Sequence, residues 1–231
     1  PTVRNGRYFS ARRNADQDLT VLYVRRSAED PDEALVDPHE MSADASLSVN
    51  YADVSADGSL VAYAVRRGGE DETEIRFIDV DSGDHLDETL AHGRYFNVSI
   101  DNDGAGVFYD RQTPDGPRVF HHVFGEDAGA DRVVFGRGYT PDKIIFSELS
   151  SDGRYLLVTV SHGAAATKNE LYFRDNWTGN QVHPIVSDID TTFEGHIAGG
   201  TLFVLTNWAA PNRRLFAANL RQPTPDSWTE I

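Results

Sequence analysis

Hydrophobic and polar residues alternate with a period of two through most of this chain, in packets bounded by turns. The clearest packet is Ser150 to Asn180, SSDGRYLLVTVSHGAAATKNELYFRDNWTGN. It opens on Ser-Asp-Gly, where Gly153 can take a positive φ and the Asp carboxylate can accept local backbone N–H bonds. Tyr155, Leu157 and Thr159 then alternate with Leu156, Val158 and Val160. This run is β-branched and aromatic, and it is apolar on both faces, so it predicts a buried strand and not a surface helix. A small, polar linker, His162 to Asn169, leads to Glu170 to Asp175, where Leu171 and Phe173 fall on one face and Tyr172 on the other. Asn176 to Asn180 closes the packet with a second turn.

The same order of parts recurs. Ser55 to Gly83 reads turn, apolar strand, polar tip, alternating strand and Asp-Ser-Gly turn. Ser99 to Asp127 repeats it with the turn Asn102-Asp103-Gly104, the strand Gly106 to Asp110, the tip Thr113 to Pro117 and the strand Val119 to Phe124. Weaker copies begin at Asn5-Gly6 and Gly199-Gly200. Successive members of the series Gly6, Gly58, Gly104, Gly153 and Gly200 stand 52, 46, 49 and 47 residues apart. A period of about 40 to 50 residues is that of a propeller blade, longer than helical or leucine-rich repeats, and no segment sustains a 3.6 period. The predicted architecture is all-β, a β-propeller of about five four-stranded blades in one domain over residues 1–231. The blades fall near Pro1–Met41, Asn50–Leu90, Arg94–Phe135, Ile144–Ser187 and Thr192–Ile231.

Charge narrows the list of partners. The chain carries 37 Asp and Glu against 21 Lys and Arg, a net −16, and only Lys143 and Lys168 are lysines. Such a field repels phosphates, so neither nucleic acid nor an anionic membrane is an expected partner. The chain has no cysteine, which excludes disulfides and thiolate chemistry. No apolar run approaches the ~18 residues of a membrane span and no signal peptide is recognisable, so the expected location is cytoplasmic, although the chain begins at Pro1 and its natural N-terminus is not assumed. The eight histidines show no ligand spacing, and His121 and His122, adjacent on a strand, point to opposite faces; neither a metal nor a cofactor is expected.

The order of motifs carries a specific resemblance. The run RYFSARRNADQDLTVLYVRRS, with Tyr8-Phe9, Arg13-Asn14 and Val21 to Val24, is followed by Val36-Asp37-Pro38 and then by Ser55 to Gly58. This resembles the start of the propeller domain of the prolyl oligopeptidases, serine peptidases that cut after proline, and the likeness continues through FEGHIAGGTLFVLTNWAAPNRRLFAANL to the last residue. The resemblance implies a seven-bladed propeller joined in the same parent chain to an α/β-hydrolase domain that holds the catalytic Ser, Asp and His. Residues 1–231 carry no G-x-S-x-G elbow and no alternation of strands with helices, so this stretch is expected to be catalytically silent alone. The implied role is a non-catalytic domain that gates access of short proline-containing peptides to the hydrolase site.

The same resemblance implies site residues. In the family a few propeller side chains face the catalytic serine and touch the substrate; the corresponding positions are Tyr95, Ile144 and Ala164. The bland alternative for each is ordinary packing, since Tyr95 begins a strand and Ile144 sits in an apolar run. Where the family has an arginine that bonds a substrate carbonyl, this chain has Ser161, whose neutral hydroxyl lacks the charged fork of a guanidinium. His162 is the candidate replacement, weighed against a merely solvated strand-end histidine. Asp71 matches an acidic residue that the family sets against an arginine of the catalytic domain, although Glu72 stands where a Trp is usual, and GGEDETE also reads as an exposed hairpin tip. Two other functional classes stay open on composition. One is a stand-alone propeller used as a binding module. The other is a five-bladed glycoside hydrolase with paired carboxylates, although most Asp residues here sit beside Gly in turns.

Overall fold

The computed structural model describes residues 1–42, 44–94, 97–179 and 181–231. It is nearly all β, with 4% helix and 52% strand in five four-stranded antiparallel sheets, as the alternation predicts. The first sheet holds β1 (Thr2–Arg4), β2 (Arg7–Arg12), β3 (Val21–Arg25) and β4 (Glu33–Val36). A four-residue helix, α1 (Pro38–Met41), follows; Asp37 caps it by accepting from the His39 amide at 2.9 Å. The second sheet holds β5 (Leu47–Val54), β6 (Leu60–Arg67), β7 (Thr73–Asp79) and β8 (His85–Gly93), and the third β9 (Asn97–Ile100), β10 (Gly106–Thr113), β11 (Gly116–Val123) and β12 (Arg132–Phe135). The fourth holds β13 (Ile144–Leu149), β14 (Tyr155–Ser161), β15 (Asn169–Asp175) and β16 (Val182–Val186), and the fifth β17 (Phe193–Ala198), β18 (Thr201–Thr206), β19 (Arg214–Asn219) and β20 (Thr229–Glu230). In every sheet the spatial order of strands is their order in sequence.

The recurring turn joins the first strand of a sheet to the second. At β13–β14, the Ser150 hydroxyl donates to Asp152 Oδ1 at 2.6 Å and accepts from the Tyr155 amide at 2.8 Å, while Asp152 Oδ1 takes the Arg154 amide at 3.1 Å. Ser55, Asp57, Ser59 and Leu60 repeat these bonds at β5–β6. Gly58 and Gly153 both have φ of 72°, a conformation in which a Cβ is strained. The hairpins conspicuous in the sequence are therefore the middle strands of each sheet, with a weaker strand on either side.

The alternation is resolved by two cores, one on each face. On β14 and β15, Tyr155, Leu157, Leu171 and Phe173 pack with Phe193, Ile197, Leu202 and Val204 of the fifth sheet. Leu156, Val158 and Val160 point the other way, to Phe108, Val119 and Ile145, with Tyr139 and Tyr172 at the margin. In the same manner Phe9, Leu22 and Val24 of the first sheet pack with Val49, Val61, Tyr63 and Val65 of the second. Each such side chain contributes about 1.5–3 kcal/mol when fully buried, so the double-sided strands hold most of the apolar driving force.

Polar side chains tie one sheet to the first strand of the next. Asp53 accepts from the Ile100 amide at 2.8 Å, Asp110 from the Ser147 amide at 3.0 Å, and Asn169 both accepts from Phe193 N and donates to Phe193 O, at 2.6 and 2.7 Å. Burial pushes the Asp53 carboxyl above its ordinary value in spite of the amide bonds it accepts. The chain divides into two compact units, Pro1–Val107 with Val123–Ala130, and Phe108–His122 with Asp131–Ile231.

Candidate functional site

Four of the candidate residues, Ile144, Ser161, His162 and Ala164, lie at one end of the fourth sheet. Ile144 opens β13 and lies directly across from Ser161, the last residue of β14; Ile144 is buried and Ser161 half-buried. The chain then loops through residues 162–168 before β15. Two hydrogen bonds shape this loop, from Ser161 Oγ to the Gly163 carbonyl at 2.9 Å and from the His162 amide to the Lys168 carbonyl at 3.2 Å. Ala164 stands at the exposed tip, where a small side chain leaves the backbone open.

His162 does not project freely. Its Nε2 lies 2.6 Å from Glu170 Oε1, and Glu170 Oε2 takes the hydroxyls of Tyr139 and Tyr172 at 2.5 and 2.6 Å. Glu170 is only 8% exposed. Burial works to raise its carboxyl, but the bonds from Tyr139, Tyr172 and His162 outweigh that and leave it below the ordinary carboxylate value. The same burial, reinforced by the carboxylate, pushes both phenols up. The cluster is thus a buried carboxylate with three donors, a fully satisfied network that fixes the root of the 162–168 loop. A neutral His162 that donates from Nε2 has only an acceptor left at Nδ1. It can donate to a peptide carbonyl only when protonated.

Tyr139 is placed by its own backbone. Its carbonyl receives Arg118 Nη1 at 3.3 Å, together with the carbonyls of Pro117 and Gly136 at 2.8 Å each, and Gly116 lies against it with φ of 115°. None of this was visible in the sequence pattern. A glutamate at a buried position two residues from Tyr172 on the same strand face is the one local sign, and Tyr139 lies 31 residues away from it.

Asp71 lies on the loop between β6 and β7, in the first compact unit, and forms an exposed ion pair with Arg94 Nη2 at 3.2 Å. That loop occupies in the second sheet the place that the 162–168 loop occupies in the fourth. Tyr95, the remaining candidate, lies outside the described residues.

Residues 1–231 match the family described as the prolyl oligopeptidase N-terminal beta-propeller domain. The chain belongs to that family. Among relatives of this propeller, a prolyl endopeptidase of Elizabethkingia meningoseptica is 27% identical over 99% of the chain and 34% of its own length, and one of Elizabethkingia miricola is 28% identical with the same coverage. A solved structure from a structural and mechanistic study of two prolyl endopeptidases matches all of the propeller with a TM-score of 0.92 at 29% identity, over 35% of that chain. Prolyl oligopeptidase B from Galerina marginata, at 20% identity and a TM-score of 0.80, shares the fold. The propeller spans about a third of the length of the curated relatives it matches.

Proposed function

We propose that residues 1–231 act together as one domain, the non-catalytic propeller of a serine-type prolyl oligopeptidase. In this role it meets an α/β-hydrolase domain of the same parent chain and limits access to short proline-containing peptides. The observation that carries the reading is the family match along the whole chain, set beside relatives about three times as long whose names describe prolyl endopeptidases. Selectivity then comes from exclusion, because a folded protein is too wide to pass a packed array of sheets.

Ile144, Ser161, His162 and Ala164 are the residues that meet the peptide, Tyr95 is a further one by the family resemblance alone, and Asp71 meets the hydrolase domain. Their grouping at strand ends, where loops carry function on a rigid scaffold, supports this. The Ser161 hydroxyl and the His162 ring divide the work of the family arginine, and neither offers the charged fork of a guanidinium, so peptide anchoring is weaker. The test is hydrolysis by the intact parent protein of a short proline peptide and of the same sequence embedded in a stably folded protein. Cleavage of the short peptide alone is expected; equal rates on both would overturn the gating role. Residues 1–231 on their own are expected to show no hydrolysis.

A further inference from the structure

The end of the second sheet holds a cavity of about 500 Å³ lined by Asn50, Ala64, Arg66, Asp71, Thr73, Gly93 and Arg94. Its composition runs against the rest of the molecule. Asn50 is the cross-strand partner of Ala64, and Ile75 pairs with Ala64 from the other side, so Asn50, Ala64, Arg66 and Thr73 share one face of the sheet. Farther along that face Ala62, Ile75 and Phe77 are buried, and the run of apolar positions ends on a guanidinium. The small residues Ala64 and Gly93 leave the floor open. Two arginines, an amide and a hydroxyl offer donors, against the single carboxylate of Asp71, in a protein whose net charge is −16. Arg94 is turned toward Asp71 at 3.2 Å, whereas Arg66 has no hydrogen-bond or ion-pair partner among the described residues.

We infer that this cavity is a carboxylate-binding site, with Arg66 as the principal donor, and that it takes the C-terminal carboxylate of a short peptide. A planar carboxylate matches the two parallel N–H bonds of a guanidinium, and the cavity lies within the size range of ligand pockets, large enough for a terminal residue or two. Arg94 supplies the second positive group, and Asp71 competes with the ligand for it. The identity of the ligand rests on the peptide-gating reading above; the anion site itself rests on the cavity alone.

The test is a calorimetric titration of the 231-residue chain at low salt with an N-acetylated proline tripeptide bearing a free C-terminal carboxylate, and with the same peptide as its C-terminal amide. The carboxylate form is expected to bind about tenfold or more tightly than the amide, the ratio corresponding to a charge-assisted hydrogen bond. Arg66→Gln should abolish that preference and Arg94→Gln reduce it, whereas Asp71→Asn should tighten the carboxylate form by removing the competing charge. A merely structural arginine would give no such opposite signs. The preference should shrink as salt is raised from 50 to 500 mM, the exposed charges being screened. Equal binding of the two peptides, or a preference that survives Arg66→Gln in a variant whose circular dichroism is unchanged, overturns the inference. Inorganic phosphate is the third probe. If it binds in an Arg66-dependent way and the peptide carboxylate does not, the site takes a different anion and the assignment to peptide is wrong. Failure of the gating reading would instead appear as cleavage of folded proteins by the parent, a result independent of the Arg66 variant.

Discussion

His162 Nε2 and Glu170 Oε1 stand 2.6 Å apart, joining the first residue of the loop after β14 to the second residue of β15. The pair is one arm of a network in which a single buried carboxylate serves three donors, so the network is a strong support only while all its members are present. Glu170→Gln keeps the shape but offers one acceptor oxygen where there were two charged ones. A loss of about 2–3 kcal/mol in unfolding free energy is expected, read as a lower urea midpoint at unchanged slope. His162→Ala removes one donor and should cost about 1 kcal/mol.

Two carboxyls, the buried Glu170 and the half-buried Asp53, should give pH dependences of opposite sign. Glu170 has a folded-state value below its unfolded 4.5, so its contribution to stability is complete above that value and is lost as the pH falls through the folded one. Asp53 has a folded-state value above its unfolded 3.8, so its contribution is present below 3.8 and is lost as the pH rises through the folded one. The stability of Asp53→Asn minus that of the native chain should therefore rise with pH across this range. The same difference for Glu170→Gln should fall. Urea denaturation from pH 3 to 7 measures both, and like signs would contradict the environments described.

Gly116 and Gly104 provide a matched pair. Both have positive φ, 115° and 68°, but a Cβ on Gly116 would run into the Tyr139 carbonyl, whereas one on Gly104 meets nothing within 4 Å. Gly104→Ala should cost only the left-handed backbone penalty, about 1 kcal/mol. Gly116→Ala adds a backbone collision at an angle that is nearly glycine's alone, and a loss of about 3 kcal/mol or more is expected in the same urea assay.

Asn169 imitates a strand pairing with its side-chain amide, since it satisfies both the N–H and the C=O of Phe193. Asn169→Ala leaves two backbone groups without partners and should cost about 2–4 kcal/mol. The local readout is hydrogen exchange at the Phe193 amide, which should accelerate more than the amides of β14. Asn169→Asp keeps the acceptor but sets a second acceptor against the Phe193 carbonyl, and it should not restore stability.

The all-β character was legible because it is written in local chemistry. Tyr155 to Val160 can alternate between two cores only as a strand, and Ser-x-Asp-Gly can close its own bonds only as a turn. The marginal strands were less visible. Thr2–Arg4 and Thr229–Glu230 are short and mostly exposed, so they carry no period-two signal. At the candidate site, Ile144, Ser161, His162 and Ala164 were reached through family resemblance; no physical pattern in the residues singles them out. What holds them was hidden, because Tyr139, His162 and Glu170 come from three separate segments whose meeting depends on the register of β14 and β15 and on the Arg118 contacts. Arg66 was not singled out by the sequence reading, although its place on the face of Ala62 and Ala64 follows from counting by two along β6.

In every sheet each strand is bonded only to strands that precede or follow it directly in the chain. The loops that must close to pair them are short, so the entropy spent before the first contacts form is small for an all-β protein. A Greek-key sandwich of the same length must wait for strands far apart in sequence to find one another; here each sheet can assemble from its own stretch of chain as that stretch leaves the ribosome. The slow events left to this protein are the joining of completed sheets through Asp53, Asp110 and Asn169, and these are the contacts whose loss should expose folded sheets to their neighbours in other molecules.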